Sequence, residues 1–407
     1  MRIAIFTNNY LPNPYGVTQS IESFRKQFEK QGHSVFIFAP STKGYIDENP
    51  NACPTENFSK KNFGRVFRYP SVDIKYKISF PLAIPYSPKI HKILKNLKLD
   101  IIHSQHHTLL GGEASKWAKR KNIPLVFTWH TLFDQYVHFA PLVPKKWAAR
   151  WIIKKAVRYA NQADYVITPT ESVREIIRKW GVTNNNLVAI PTGVEEASYQ
   201  EANRNKIRIK YNISENEILL LLVSRLTAEK NIEFLFRAAV KVLKNNKNTK
   251  FLVVGDGYLV SQLKSMAEDY NLQDRIIFEG IVDISKIKNY YAAGDIFIYA
   301  SKSETQGMIV SEAMYMGLPV VAVSATGSKD LVENNVNGFL VREDENEFAA
   351  AVEKLINDRD LRQKFGANSA RIAREKYTDS ICANKMLDVY EVVIQNAKCK
   401  NQNVNVK

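Results

Sequence analysis

The sequence predicts two doubly wound α/β domains in tandem, each a parallel sheet wrapped by helices, with a cleft between them. Short β-branched runs alternate with amphipathic helical stretches from end to end, which is the rhythm of wound parallel sheets. At 407 residues the chain is too long for one ordinary core. The rhythm stops once, in the polar stretch EEASYQEANRNK after Gly193, and then restarts. That stretch reads as a linker, so residues 1–195 form the first domain and 196–379 the second.

In the first half IAIFT, SVFIFAP, DIIHS, PLVFTWH, YVITPT and LVAIPTG read as strands, with helices over 18–31, 111–121, 143–160 and 172–180. The second half continues with EILLLLVSRL, KFLVVGDG, RIIFEGIV, DIFIYAS, PVVAVS and GFLV. A last amphipathic helix, about 380–397, is expected to pack back on the first domain, and the polar tail 398–407 to fray. In open parallel sheets ligands bind past the carboxyl ends of the strands. The turns after these apolar runs are therefore the places to look for chemistry.

Composition narrows the function. With 45% hydrophobic and 24% charged residues the chain folds rather than staying disordered. No run of ~18 apolar residues is present to span a membrane. The opening MRIAIFTNNYLP reads as a first core strand and not a signal peptide, because its short apolar run turns at once into Asn and Pro. Cys53, Cys382 and Cys399 are few, odd in number and without metal spacing, which fits a reducing cytoplasm. The net charge of +16 is unevenly placed: residues 1–195 hold 28 basic and 13 acidic residues, the remainder 29 and 28. Such an excess points to an acidic partner of the first half (nucleic acid, an anionic membrane or an anionic substrate) or to a general solubility charge.

The most informative stretch is SETQGMIVSEAMYMGLPVVA, residues 303–322. A chain leaving strand DIFIYAS, turning at Gly307 and entering a helix sets Glu304 on the loop and Glu312 in the helix. The amides of Gly307, Met308 and Ile309 are then the open donors of a helix N-terminus, a setting for an anion such as a diphosphate. Carboxylates on either side suit vicinal hydroxyls of sugars. Read alone, the pair also fits two surface glutamates flanking a loop. SRLTAEKN, residues 224–231, brings Arg225 and Lys230 to the end of an apolar strand, where they either bind an anion or face water.

Taken together these strings resemble the retaining GT-B glycosyltransferases of family 4 (GT4): the E-x7-E element with its EAM…G-PVVA continuation, SRLTAEKN, VVGDG at 253–257, EGIV at 279–282 and PTGVE at 191–195, in the family's order. The resemblance implies a GT-B fold of two Rossmann-like domains and transfer of a hexose from a nucleotide sugar with retention, no other cofactor being required. It implies that Arg225 and Lys230 neutralise the leaving diphosphate, that Glu304 holds the transferred sugar and Glu312 the ribose diol, and that the backbone near Ile281 and Val282 reads the base. Gly16 stands where the family has a Gly-Gly pair approaching the donor phosphate; Tyr15 replaces the first of the two. His130, in TWHT, matches the histidine that reaches the donor sugar. His103, His106, His107 and His138 are close in sequence, but neighbouring strand residues point to opposite faces, against a metal cluster. The DRD string at 358–360 falls inside the charged stretch EKLINDRDLRQKF, read as one surface helix, and no metal is invoked.

The acceptor is sought in the first half. Residues 60–98 carry ten basic side chains against Asp73 alone, interleaved with aromatics. PLVPKKWAARWIIKKAVRYA, 141–160, has six basic residues and no acidic one. Lys145, Lys146, Trp147, Arg150, Trp151, Lys154 and Lys155 make a helix suited to an anionic headgroup region, unless the helix merely packs on the sheet with its cations in water. TWHTLFDQYVHFAP and ETQGM resemble most closely the bacterial diacylglycerol glucosyltransferases. That implies glucose transfer from UDP-glucose to 1,2-diacylglycerol by a cytoplasmic enzyme, peripheral on the inner face of the cell membrane. Open alternatives are a soluble phosphorylated sugar or inositol phosphate as acceptor and, in another class, a non-catalytic nucleotide- or nucleic-acid-binding protein, although no recognised nucleic-acid module is present.

Overall fold

The computed structural model describes the chain except residues 14, 46, 48–64, 77, 133–144 and 405–407, and at 75, 76, 78–80, 145, 146, 148 and 400–404 its backbone alone. Cys53 and His138 lie outside the described residues, and so do the side chains of Lys145 and Lys146. The chain divides into two compact units, Met1–Thr192 with Cys382–Lys407, and Gly193–Ile381.

In chain order the first unit contains β1 (Arg2–Phe6), α1 (Gly16–Lys30), β2 (Ser34–Pro40), β3 (Val66–Tyr69), β4 (Ser71–Tyr76), β5 (Ile78–Ala83), α2 (Pro88–Asn96), β6 (Ile101–Ser104), α3 (Leu110–Lys121), β7 (Leu125–Thr128), α4 (Lys145–Gln162), β8 (Tyr165–Thr168), α5 (Glu171–Lys179) and β9 (Leu187–Ala189). Its parallel sheet runs β3-β2-β1-β6-β7-β8-β9. Side chains alternate across a strand, so Ala4 and Phe6 enter the core on one face and Ile3 and Ile5 the core on the other. That double burial is why these strands read as continuous apolar runs. The β4–β5 hairpin is antiparallel and forms a two-stranded sheet of its own. With β3 and α2, it gives regular structure to a segment that the sequence marks only as basic and aromatic.

The second unit contains α6 (Arg204–Lys210), β10 (Ile218–Val223), α7 (Ile232–Asn245), β11 (Thr249–Val254), α8 (Val260–Asp269), β12 (Ile276–Gly280), α9 (Ile287–Ala293), β13 (Ile296–Tyr299), α10 (Met308–Tyr315), β14 (Val320–Val323), α11 (Ser328–Leu331), β15 (Gly338–Val341), α12 (Glu345–Asn357) and α13 (Arg359–Lys376). Its sheet order is β12-β11-β10-β13-β14-β15, all parallel. The stretch around 358–360 is not one helix. Asp358 ends α12 and caps α13 by accepting from Leu361 N at 2.8 Å, the ordinary use of Asp at an N-cap.

The last helix, α14 (Asp379–Val404), continues through the polar stretch expected to fray. From Cys382 it belongs to the first unit, where Tyr390 packs on Phe28 with ring centroids 5.6 Å apart. No helix among the described residues is long and apolar enough to cross a membrane.

Candidate active site

In the second unit β10 and β13 are sheet neighbours although β11 and β12 come between them in sequence. The strand order switches between them, and the region past their carboxyl ends is the usual ligand site of such a sheet. The loop after β10 supplies Arg225 and, in the 3-10 turn Ala228–Lys230, Lys230. The loop after β13 supplies Glu304 and leads through Gly307 into α10 and Glu312.

These residues do meet. Lys230 forms an ion pair with Glu304, and the Tyr299 hydroxyl donates to the same carboxylate over 2.9 Å. Burial opposes charge on Glu304, but Lys230, Tyr299 and Arg225 outweigh it and hold the carboxyl below the usual range. Arg225 is 61% exposed and lies 3.5 Å from Glu229. The cation and the carboxylate expected to serve different parts of a donor are thus one pair, and Arg225 is the more exposed of the two cations. Ser303 Oγ donates to the Glu229 carbonyl at 3.1 Å, tying the two loops together.

Gly307 has φ +83°, a left-handed backbone that suits glycine. No side chain caps α10, and among the described residues no carbonyl receives the amides of Gly307, Met308 or Ile309. The first turn is therefore an open set of donors at the positive end of the helix dipole. Glu312 is half-buried in α10; burial raises its pKa, opposed by the Tyr291 hydroxyl, which donates to it at 2.8 Å, and by the nearby Tyr199 phenol. Ile281 is 82% exposed, and the half-buried Val282 rests on the core just after the edge strand β12.

The VVGDG turn carries a requirement the sequence did not reveal. A Cβ on Gly255, at φ +128°, would lie 1.8 Å from the Ser224 carbonyl oxygen, and one on Gly257 2.2 Å from that of Leu226. The loop bearing Arg225 is thus seated directly on bare backbone. Beside it Tyr258, 69% exposed, accepts from the Ala228 amide at 2.8 Å. Gly255→Ala is expected to cost about 1–3 kcal/mol from backbone strain alone, with the collision in addition. Urea unfolding measures it, and wild-type stability would contradict the packing described.

In the first unit Gly16 is the first residue of α1, with Tyr15 as its N-cap. A Cβ on Gly16 would meet nothing within 4 Å, so close backbone packing does not demand glycine there. His130 follows β7, with its Nε2 2.6 Å from Gln105 Oε1. His103 lies in the core between the Tyr390 hydroxyl and Thr128 Oγ1, each at 2.6 Å, while His106 Nδ1 accepts from the Asn8 amide at 3.1 Å. Burial above all lowers His103, His106 and His130 to about 3 and His107 to about 4, so all four rings are neutral. No group of three potential metal ligands is found among the described residues.

α4 buries Ala156, Tyr159 and Ala160 and exposes Trp147 (74%) and Trp151 (59%), with Arg150, Lys154 and Lys155 on the exposed side. Lys155 Nζ sits 3.6 Å from the centre of the Trp151 ring, a cation–π contact. The helix packs by one face and still presents both tryptophans.

Comparison with known proteins fits this construction. Residues 14–198 match the family Glycosyltransferase Family 4, and residues 203–372 match Glycosyl transferases group 1. The alpha-monoglucosyldiacylglycerol synthase of Streptococcus pneumoniae is 33% identical over 94% of this chain and 87% of its own. The enzyme of the same name from Acholeplasma laidlawii is 27% identical over 99% and 100%. Among solved structures, Anabaena HepE in complex with UDP and glucose superposes with a TM-score of 0.73 at 20% identity, covering 96% of this chain and all of that one; at such identity the likeness concerns the fold. The chain belongs to the group 1 and family 4 glycosyltransferases, has their two-domain GT-B fold, and is a hexosyltransferase.

Proposed function

We propose that this enzyme moves glucose from UDP-glucose to the 3-hydroxyl of a 1,2-diacylglycerol at an anionic membrane surface. The carrying observation is the 33% identity to the Streptococcus pneumoniae alpha-monoglucosyldiacylglycerol synthase over 94% of the chain. The exposed Trp147 and Trp151 among cations on α4 support a surface acceptor. An amphipathic helix of this kind binds headgroups through apolar insertion plus ~1 kcal/mol per cation near the surface.

In this reading the diphosphate lies over the first turn of α10, where the amides of Gly307, Met308 and Ile309 receive it, with Arg225 and Lys230 beside it. Glu304 holds hexose hydroxyls, Glu312 the ribose diol, and the chain at Val282 the base. Gly16 and His130 keep the donor-contacting roles that the family resemblance implies for them, His130 as a neutral ring. The bond from the anomeric carbon to the β-phosphate oxygen breaks, and the cations and amides take up the charge that develops on the phosphate. A bond from the anomeric carbon to the acceptor oxygen forms on the same face of the sugar, and the hydroxyl proton passes to the leaving phosphate. The products are UDP and a glucosyl lipid.

Two measurements test this. UDP release is followed with UDP-glucose and dioleoylglycerol in mixed vesicles, beside GDP-mannose and soluble acceptors such as glucose 6-phosphate and inositol phosphate. Turnover with a soluble acceptor but none with the lipid would reject the acceptor. In sedimentation with phosphatidylglycerol vesicles the wild type is expected to pellet in low salt and be released in high salt. Trp147→Ala with Trp151→Ala is expected to weaken pelleting at least severalfold; pelleting equal to wild type would remove α4 from the membrane contact.

A further inference from the structure

A row of aromatic rings lies beneath the two carboxylates of the 304–312 element. Tyr299, the last residue of β13, is 1% exposed and donates to Glu304 Oε1. Tyr291, in α9, has no exposed surface and donates to Glu312 Oε2 over 2.8 Å. Tyr199, in the 3-10 turn Glu196–Tyr199, packs its ring beside that of Tyr291. The ring centroids follow one another at 6.1 Å from Tyr199 to Tyr291, 6.0 Å from Tyr291 to Phe297 and 6.2 Å from Phe297 to Tyr299.

The hydroxyls are not needed for packing. Phe297 occupies the middle of the row without one, and a buried phenol is costly unless its O–H is matched. The hydroxyls of Tyr291 and Tyr299 each reach a carboxylate. Glu312 has no ion pair among the described residues, so the Tyr291 phenol favours its charged form against burial. A carboxylate has about four lone-pair sites. A phenol on one oxygen fixes the plane of the group and leaves the remaining sites for ligand hydroxyls.

We propose that Tyr299 and Tyr291 are positioning residues that divide donor recognition: Tyr299 orients Glu304 toward the transferred hexose, while Tyr291 orients Glu312 toward the ribose. This rests on the donor roles given above to the two glutamates. Each tyrosine acts through a carboxylate, so its effect is confined to the part of the donor that carboxylate holds.

The test uses Tyr299→Phe and Tyr291→Phe in the full chain, with calorimetric binding of UDP (ribose but no hexose) and of UDP-glucose, and with steady-state turnover. Tyr291→Phe is expected to weaken UDP about tenfold, the scale of a hydrogen bond to a charged group. In this variant the loss of UDP affinity on acidification moves to higher pH, because Glu312 takes up its proton sooner. Tyr299→Phe is expected to leave UDP affinity within about twofold and to lower kcat with UDP-glucose about tenfold. In a Glu312→Gln background Tyr291→Phe adds little further loss, since the two residues act as one. Equal loss of UDP in both variants, full additivity with Glu312→Gln, or wild-type UDP binding by Tyr291→Phe would each overturn the assignment. A wild-type protein that binds neither UDP nor GDP would instead overturn the donor reading beneath it.

Discussion

Arg225→Ala and Lys230→Ala are each expected to lower turnover by about 10²–10³, the usual loss when one group that stabilises developing charge is removed. The two should differ in everything else. Arg225 is 61% exposed and its contact with Glu229 is long; such a surface pair contributes little to folding, so its loss should leave thermal stability nearly unchanged. Lys230 is 12% exposed and paired with Glu304. Removing it takes away the main influence that holds Glu304 below the usual carboxylate range, and burial then dominates. The Glu304 pKa should rise, and the acidic limb of residual turnover should move toward neutral pH in Lys230→Ala but less so in Arg225→Ala, whose influence on Glu304 is the weaker. Activity like wild type in Arg225→Ala would end its assignment to the diphosphate. A Lys230→Ala variant with an unshifted acidic limb would show that the ion pair does not control Glu304.

Acid is expected to unfold the first unit well before ordinary carboxylate titration. His103, His106 and His130 are held at about 3 and His107 at about 4, against 6.5 for the ordinary side chain. The folded-state values are depressed, so as pH falls the unfolded chain takes up these protons first. The stability at stake is fully present above about pH 6.5 and is lost progressively between there and about pH 3. Each group costs at most about 1.4 kcal/mol per pH unit across that window. The four contributions overlap, since His106 and His130 are depressed in part by neighbouring histidines; the fully buried His103 alone is appreciable beside a typical total stability of about 5–15 kcal/mol. Urea midpoints at pH 7, 6 and 5 should fall steeply, and His103→Gln should flatten the slope. Midpoints constant from pH 7 to 5 would mean that the rings are hydrated or charged in the folded protein.

Much of the site was legible because its parts are local. Arg225 and Lys230 follow one apolar strand, and Glu304, Gly307 and Glu312 share a single loop-to-helix passage, so a string of letters carries them. Apolar runs announced the strands for the same reason: burial on both faces leaves no room for polar residues. Residues 66–96 were harder. Their basic and aromatic composition masks a strand, a hairpin and a short helix whose apolar periods are brief. The DRD stretch misled because two charged helices meet without Gly or Pro, and only the cap at Asp358 separates them.

What the sequence determined by itself is the family, the GT-B fold class and the short strings that gather past the strand ends, since each depends on residues close together along the chain. What the tertiary structure alone decided is who touches whom: Lys230 on Glu304, bare glycine backbone beneath the Arg225 loop, and Tyr291 and Tyr299 on the carboxylates. Those contacts join segments from different strands and helices. Their partners are set by the sheet order β12-β11-β10-β13-β14-β15, which places β10 beside β13 and cannot be read from either strand alone.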